Sequence, residues 1–240
     1  MQTSSCIRSS SVFWEKTMIE FKQFEKHYGK KTLYPLTDFT FPGNAISFLM
    51  GNNGCGKTTL LKCLAGLESY GGQILFDGKP LSEVRDQLLV IWDDSPCFSN
   101  LNGLQNLELL CEGRKPKKAI VQAGKRYLEL DVLRRKVKSY SYGQKKKLML
   151  ALADLLEPAY LVMDEISNGL DVDMMDELAK HLLEMKTHCT LLLTGHQFSF
   201  YEKIAEHVFL KRKEKVTYIA PEMRGERSLE ELYHDKTMEN

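Results

Sequence analysis

The sequence lacks any apolar run long enough to span a membrane. A transmembrane helix needs about 20 consecutive, mainly apolar residues, and the longest apolar stretch, Leu148–Leu156, is short and interrupted by Asp154. The amino-terminal segment Met1–Ser11 is rich in serine but has no long apolar region of the kind that secretory signals contain. Any role at a membrane is therefore expected to depend on a partner protein.

Paired cysteines, charge imbalance and internal repeats are also missing. The six cysteines are widely spread and form no C-x-x-C pair, which argues against a zinc site or a disulfide framework and is typical of a reduced cytosol. The formal net charge is only +1, so no overall basic charge favours nucleic acid or a membrane surface. With 240 residues, 43% hydrophobic and 27% charged, the chain has the composition of a globular domain.

The strongest positive feature is a glycine-rich segment between a predicted strand and a predicted helix. It matches G-x-x-x-x-G-K-[ST], follows the apolar segment Ala45–Met50 and precedes a predicted helix at Leu60–Ala65. Backbone N–H groups and the positive helix end bind phosphate in such a unit. Nucleotide phosphates are therefore predicted to contact the whole loop: Gly51, Asn52, Asn53, Gly54, Cys55, Gly56, Lys57, Thr58 and Thr59. Lys57 is expected to reach the β- and γ-phosphates, and the Thr58 hydroxyl to ligate Mg²⁺.

Two acids follow a second apolar segment, Tyr160–Met163. Asp164 is expected to hold Mg²⁺ through its water shell, and Glu165 to polarise the attacking water as a general base. The alternative is an ordinary buried strand that ends in a solvated acidic turn. The phosphate loop upstream favours the catalytic interpretation.

Predicted strands and helices alternate along most of the chain, which is typical of an α/β fold with a largely parallel sheet and helices on both faces. Strand patterns disappear between about residues 93 and 144, which predicts an inserted helical subdomain. The predicted organisation is a flexible leader at residues 1–17, a single domain at 18–222 and a charged tail at 223–240. Met18 is an alternative start.

The segment Tyr140–Gln144, with the sequence Tyr-Ser-Tyr-Gly-Gln, opens a predicted helix shortly before Tyr160–Met163. The phosphate loop, this segment and the two acids, in this order, resemble the motifs of the ATP-binding cassette (ABC) family over residues 18–219. The resemblance implies a P-loop NTPase fold, in which a RecA-like core carries a small antiparallel β-subdomain and an inserted helical subdomain.

The resemblance also implies roles for residues outside the loop. Ser141, Gly143 and Gln144 stand in the family's signature motif, which binds the nucleotide of a second subunit. His196 stands at the position of a histidine that contacts the γ-phosphate, and Tyr28 at that of an aromatic ring that stacks on adenine. The expected catalytic residues are Glu165, His196 and Lys57.

Two positions depart from the family's pattern. The family usually has Gln after the strand predicted at Leu88–Ile91, and counting back from Asn106 places Asp93 there. A carboxylate oxygen is a suitable ligand for Mg²⁺, so Asp93 is expected to join Thr58 and Asp164 at the metal. In the signature, Tyr142 replaces a glycine that allows close backbone approach to a phosphate. Its ring is expected to weaken or slow the ATP-bound dimer.

The resemblance implies an ATPase whose dimer closes on ATP and reopens after hydrolysis. The favoured function is the ATP-binding and hydrolysing subunit of an ABC transporter of the small bacterial exporter type. Its expected cofactors are ATP and Mg²⁺, and its expected partners are transmembrane permease subunits and a second ATPase subunit, either another copy or a paralogue. It would be cytoplasmic and held on the inner face of the cell membrane by the permease.

Two other functions within the family compete with transport. A soluble ABC ATPase of the iron–sulfur cluster assembly type is the main alternative. A nucleic-acid or ribosome-linked ABC protein is disfavoured, because the chain has no long coiled coil, no second cassette and no basic stripe. No nucleic-acid partner is therefore expected.

Overall fold

The structure, a computed structural model, describes residues 18–94 and 97–235. Its strands, β1 to β10, are Ile19–Tyr28, Lys31–Phe41, Ile46–Gly51, Gly71–Phe76, Lys79–Pro80, Leu88–Ile91, Tyr160–Met163, Thr190–Thr194, His207–Arg212 and Lys215–Ile219. Its α-helices, α1 to α10, are Lys57–Leu64, Leu81–Val84, Gly103–Leu110, Lys117–Tyr127, Leu130–Arg134, Tyr142–Leu156, Val172–Met185, Phe198–Ile204, Pro221–Arg224 and Leu229–His234. The predicted leader, residues 1–17, lies outside the described residues.

The larger sheet has six strands in the order β10-β9-β3-β8-β7-β6. Strands β9, β3, β8, β7 and β6 run parallel, and β10 adds an antiparallel edge. Every residue of β3, β7 and β8 is buried, as expected for parallel strands that are covered on both faces. Because these strands point the same way, the loops after β3, β6, β7 and β8 leave from one edge of the sheet.

This sheet separates two hydrophobic cores. Alternate side chains of a strand point to opposite faces, so Leu191 and Leu193 of β8 lie in one core and Leu192 in the other. We call the first the helical core, because it includes Leu148 of α6 and other residues of α3 to α8. The second, the β core, contains Leu60 and other residues of α1 together with the smaller sheet.

The smaller sheet is antiparallel, with the order β2-β1-β4-β5. Aromatic side chains fill its inner face: the rings of Phe21 and Phe39 stack with centroids 4.3 Å apart, and Phe41 packs at 4.6 Å against Phe209 of the larger sheet. Strand β1 continues to Tyr28. The sequence predicts a turn over residues 26–31, but pairing with β2 extends the strand and confines the turn to positions 29 and 30.

The helices between Asp93 and α6 form the predicted helical insertion. Helix α3 begins with a capping box, in which Asn102 and Gln105 each accept from the other's backbone N–H. The sequence pattern predicts one helix at Lys118–Leu130, but the structure divides this region, since α4 ends at Tyr127 and α5 begins at Leu130. Within residues 18–94 and 97–235, no helix combines the length and hydrophobicity that crossing a membrane requires.

The segment interpreted as a charged tail contains α9 and α10. Leu229 and Leu232 are fully buried, and the ring of Tyr233 packs 4.8 Å from that of Phe198 in α8. Glu202 of α8 accepts from the backbone N–H of Leu229 at 3.2 Å. These helices belong to the packed structure as far as residue 235, and the many charged residues around the two leucines obscured this in the sequence.

Candidate active site

The phosphate loop occupies the carboxyl edge of the larger sheet, between β3 and α1. Gly54 and Gly56 adopt φ angles of +74° and +112°, a region that glycine enters without strain. A Cβ atom at Gly51 would lie 2.4 Å from the carbonyl oxygen of Lys211, so a side chain there would displace the loop. Lys57 donates from Nζ to the Gly51 carbonyl at 2.7 Å, which folds the lysine back over the loop.

A cleft of about 240 Å³ adjoins this loop. Its lining residues are Tyr28, Lys31, Leu33, Asn53, Gly54, Gly56, Lys57, Thr58, Thr59 and Glu165. The structure thus gathers seven predicted nucleotide-binding residues beside the predicted general base. Tyr28 is 47% exposed, and its hydroxyl donates to Glu68 while Lys26 lies 4.6 Å from the ring centroid. The ring is therefore held at the rim of the cleft.

Three predicted catalytic side chains converge at one end of the cleft. Lys57 Nζ lies 3.4 Å from Nε2 of His196 and 4.0 Å from Oε1 of Glu165, and His196 Nε2 lies 3.4 Å from the same carboxylate oxygen. The other oxygen, Oε2, is buried and has no hydrogen-bond partner among the described residues. Buried polar atoms are nearly always paired. The lack of a partner for Oε2 is consistent with a site in which water or a polar ligand binds beside Glu165.

Burial and neighbouring charges shift the pKa values of Glu165 and His196. Burial raises the pKa of Glu165; the positive charge of Lys57 opposes part of this increase, and the charge of Asp164 adds to it. A higher pKa makes the carboxylate a stronger base. Burial lowers the pKa of His196, and the positive charge of Lys57 lowers it further. The imidazole is therefore neutral at neutral pH, and its contact with Glu165 is not an ion pair.

Hydroxyl groups hold Asp164 in place. Thr58 Oγ1 donates to Oδ2 at 3.0 Å, and Thr194 Oγ1 donates to Oδ1 at 2.6 Å. Thr194 also accepts from the backbone N–H of Glu165 at 3.1 Å. The sequence analysis missed Thr194, although a polar residue at the end of a buried strand was an available signal.

The oxygen atoms of Thr58 and Asp164 are the donors that Mg²⁺ prefers. No group of three or more His, Cys, Asp or Glu side chains suited to a metal occurs in the part of the chain that the structure describes. Thr58 and Asp164 therefore suit Mg²⁺ only if the nucleotide and water supply its remaining ligands, as is common for this ion.

Asp93 follows β6 at the same edge of the sheet. Its side chain is about half exposed, and its charge contributes to the raised pKa of Glu165. The hydroxyl of Tyr142 donates to the Asp93 carboxylate and to its backbone oxygen, the latter at 2.9 Å. Lys146 Nζ lies 3.5 Å from the same carboxylate. Neither partner of Asp93 was predicted.

The signature residues lie apart from the phosphate loop. Ser141 Oγ accepts from the backbone N–H of Gln144 at 3.2 Å, and the Gln144 side chain accepts from that of Ser141 at 3.0 Å, which caps α6. Both line a separate cleft of about 390 Å³. Gly143 packs against Met174, where a Cβ atom would lie 3.0 Å from the methyl carbon. One chain thus presents the phosphate loop and the signature on different surfaces.

Comparison with known proteins identifies the family. A family model described as ABC transporter matches residues 36–168, more than half of the chain. The lantibiotic transport ATP-binding protein SrtF of Streptococcus pyogenes is 28% identical over 226 residues, which cover 92% of this chain and 98% of that protein. The methionine import ATP-binding protein MetN of Clostridium acetobutylicum is 30% identical over 209 residues, 80% of this chain and 65% of that protein.

Solved structures show the same fold. The ATP-binding subunit of an ABC transporter superposes with a TM-score of 0.77 at 24% identity, covering 90% of this chain and 98% of that one. A bacterial Atm1-family ABC exporter with ATP bound gives 0.74 at 17% identity, covering 84% of this chain and 38% of that one. The predicted P-loop fold is confirmed.

The chain belongs to the ABC transporter family. Its relatives are ATP-binding subunits of transporters, and the chain is such a subunit, an ATPase that powers a separate permease. Subunits of this kind dimerise and work with membrane permease components. The predictions of family, fold, function and enzyme class are confirmed, and the iron–sulfur assembly alternative is not favoured.

Proposed function

We propose that the cleft between the phosphate loop and Glu165 hydrolyses ATP that is bound with Mg²⁺. The observation that carries this proposal is the convergence of Lys57, His196 and Glu165. One carboxylate oxygen of Glu165 is buried there and has no hydrogen-bond partner among the residues that the structure describes. Glu165 acts as the general base, since its raised pKa suits proton abstraction from water. Lys57 contacts the β- and γ-phosphates, and neutral His196 contacts the γ-phosphate.

Thr58 and Asp164 would hold the metal, with Asp93 as a further ligand. When bound, Mg²⁺ neutralises charge on the phosphate oxygens. The two hydroxyl groups that donate to Asp164 support this assignment, because they fix the carboxylate beside the loop.

The nucleotide base is proposed to stack on Tyr28 at the rim of the cleft. The ring's exposure and the bond from its hydroxyl to Glu68 support this role, since a held, exposed ring offers a flat apolar surface. The remaining loop residues, Asn52, Asn53, Cys55 and Thr59, would surround the phosphates with backbone N–H groups.

A second subunit is proposed to complete each site. Ser141 caps α6, and Gly143 and Gln144 lie in its first turn, where N–H groups favour an anion. Ser141 and Gln144 line a cleft separate from that of Lys57. In the proposed dimer they face the nucleotide of the other subunit, which is a second copy of this chain or a paralogue.

The partner permease and the cargo are proposed from the relatives. Similarity to SrtF spans 98% of that protein, whereas the chain spans 65% or less of the import ATPases of methionine and spermidine/putrescine. This favours transport of a lantibiotic-like cargo through a separately encoded permease. The export direction is proposed from the resemblance to small bacterial exporters. The subunit would then lie in the cytoplasm against the inner face of the membrane.

Substitution of the proposed base tests the chemistry. Glu165→Gln should retain ATP binding, lose hydrolysis by a factor of about 10² or more, and accumulate an ATP-bound dimer in size-exclusion chromatography. Glu157→Gln is the matched control, because that glutamate is 72% exposed at the end of α6. Normal turnover by Glu165→Gln would refute the assignment of the base.

The partner is tested by co-purification. A tagged chain extracted from native membranes with detergent should bring a multi-span protein with it. Recovery only with soluble scaffold proteins would contradict the proposed permease. Transport of labelled candidate peptides by the reconstituted complex would then test the cargo.

A further inference from the structure

The two departures from the family's pattern contact each other. Asp93 follows β6, before the inserted helices in the chain, and Tyr142 begins α6, after them. The tyrosine hydroxyl donates to the carboxylate oxygen Oδ1 and to the backbone oxygen of Asp93. A glycine at position 142 has no group that could reach Asp93. The unusual tyrosine therefore supplies a partner for the unusual aspartate.

A second residue of α6 approaches the same carboxylate. Lys146 lies one helical turn beyond Tyr142, on the same face. Its Nζ is 3.5 Å from Asp93 Oδ1 and 5.1 Å from the Tyr142 ring centroid. The side chain is 1% exposed, and a buried ammonium is costly without a partner. Asp93 is the partner, with Asp164 and Glu165 close enough to interact electrostatically.

The tyrosine ring is also fixed in position. A Cβ atom at Gly169, in the loop before α7, would lie 2.6 Å from a ring carbon of Tyr142, so the ring packs directly on that backbone. The ring is thus directed into its own subunit.

One oxygen of Asp93 remains available. Oδ1 accepts from Tyr142 and contacts Lys146, whereas Oδ2 has no hydrogen bond or ion pair within residues 18–94 and 97–235. Because Tyr142 and Lys146 both contact Oδ1, they hold the carboxylate group in one orientation and so fix the direction in which Oδ2 points. A carboxylate oxygen of this kind is a suitable ligand for a hard cation or its water shell.

We propose that Tyr142 and Lys146 are positioning residues that hold the Asp93 carboxylate at the edge of the nucleotide site, so that divalent-cation binding with the nucleotide depends on helix α6. The inference rests on the proposed function, because it requires nucleotide and cation in the cleft beside Glu165. It also ties the signature helix of a subunit to that subunit's own cation site.

The test measures cation binding directly. Mn²⁺ is titrated into the full-length protein in the presence of a non-hydrolysable ATP analogue, and free Mn²⁺ is followed by electron paramagnetic resonance. Tyr142→Phe, Lys146→Met and Asp93→Asn should each raise the Mn²⁺ dissociation constant by about tenfold, the usual effect of losing one hydrogen bond to a charged group. Tyr142→Phe combined with Asp93→Asn should bind no more weakly than Asp93→Asn alone.

The matched control is Tyr127→Phe. The Tyr127 hydroxyl also donates to a carboxylate, that of Asp154 at 2.9 Å, but this pair lies away from the cleft. Its loss should leave Mn²⁺ binding unchanged. Wild-type affinity in Tyr142→Phe, or additive losses in the double variant, would overturn the inference.

A parallel titration separates this inference from the proposed function. Binding of a fluorescent ATP analogue is measured with EDTA, where no cation contributes. Tyr142→Phe and Lys146→Met should bind the analogue as the wild type does, which also shows that they are folded. If the wild type itself binds neither analogue nor Mn²⁺, the proposed function fails. If it binds both and Tyr142→Phe matches it, only the positioning role is lost.

Discussion

Thr194 donates a 2.6 Å hydrogen bond to Oδ1 of Asp164, from the end of β8 to the loop after the neighbouring β7. The same hydroxyl accepts from the backbone N–H of Glu165. One threonine thus orients both acids. We expect Thr194→Val to lower kcat/KM for ATP by about tenfold or more, because a hydrogen bond to a charged group contributes about 1.5–3 kcal/mol. Steady-state ATPase assays measure this effect.

Thr194→Ser is the control for that substitution, since it keeps the hydroxyl and removes only a methyl group. It should restore most of the activity. Equal activity in the valine variant and the wild type would show that Asp164 and Glu165 are oriented without Thr194.

Cys55 offers a chemical test of the phosphate loop. It is the half-buried thiol of that loop, whereas burial raises the pKa of Cys63 and Cys97 to about 11, and a less populated thiolate reacts more slowly. Alkylation at Cys55 should block hydrolysis, and ATP should slow the modification. Peptide mass spectrometry locates the adduct. Cys55→Ser is the control, and modification of Cys55 at the same rate with and without ATP would contradict the placement of the phosphates.

Lys211 should make stability depend on pH. It is fully buried beneath the loop, and its Nζ donates to the Leu33 carbonyl at 3.0 Å. Burial lowers its pKa from 10.5 to about 8. Between these values the unfolded chain holds a proton that the folded chain has released, so the free energy of unfolding should rise with pH by about 3 kcal/mol across the window.

Denaturant unfolding at a series of pH values measures the free energy of unfolding of the wild type and of two variants. Lys211→Met should lack the rise with pH, while Lys117→Met, which alters a lysine with an 86% exposed side chain, should retain it. The same pH dependence in all three proteins would show that Lys211 is not the group responsible.

The helices at the carboxyl-terminal end should contribute to stability. Leu232 of α10 is fully buried, and Leu232→Ala should cost about 2–5 kcal/mol, as large-to-small changes in cores do. The control is Leu36→Ala, at a position that is 66% exposed, which should stay within about 0.5 kcal/mol of the wild type. Chemical denaturation compares them. Equal stabilities would mean that α10 does not share the cooperative fold.

Local patterns predicted the framework of the site well. The strands Leu88–Ile91 and Tyr160–Met163 have the predicted bounds, because short apolar segments between turn residues define buried strands. The phosphate loop was equally evident, since its glycines and lysine stand at fixed spacings in one continuous segment. The catalytic and binding roles of these residues remain predictions.

Contacts between distant segments could not be predicted in this way. The bonds from Tyr142 to Asp93 and from Thr194 to Asp164 join residues far apart in the chain, and neither residue type alone indicates its partner. The buried position of Leu232 depends likewise on α8, which covers it. The packing of the Tyr142 ring on Gly169 was likewise not foreseen, and the expectation that this ring crowds a phosphate in the dimer stays a prediction.

The larger sheet separates the helical core from the β core. Leu192 and Leu193 are adjacent in sequence but lie in different cores. A cavity made at Leu192 would loosen the β core, and a cavity made at Leu193 would loosen the helical core. The two cores border the same carboxyl edge, where Asp93, Asp164 and His196 follow the neighbouring strands β6, β7 and β8. The residues proposed to touch the nucleotide therefore lie at an edge that both cores border.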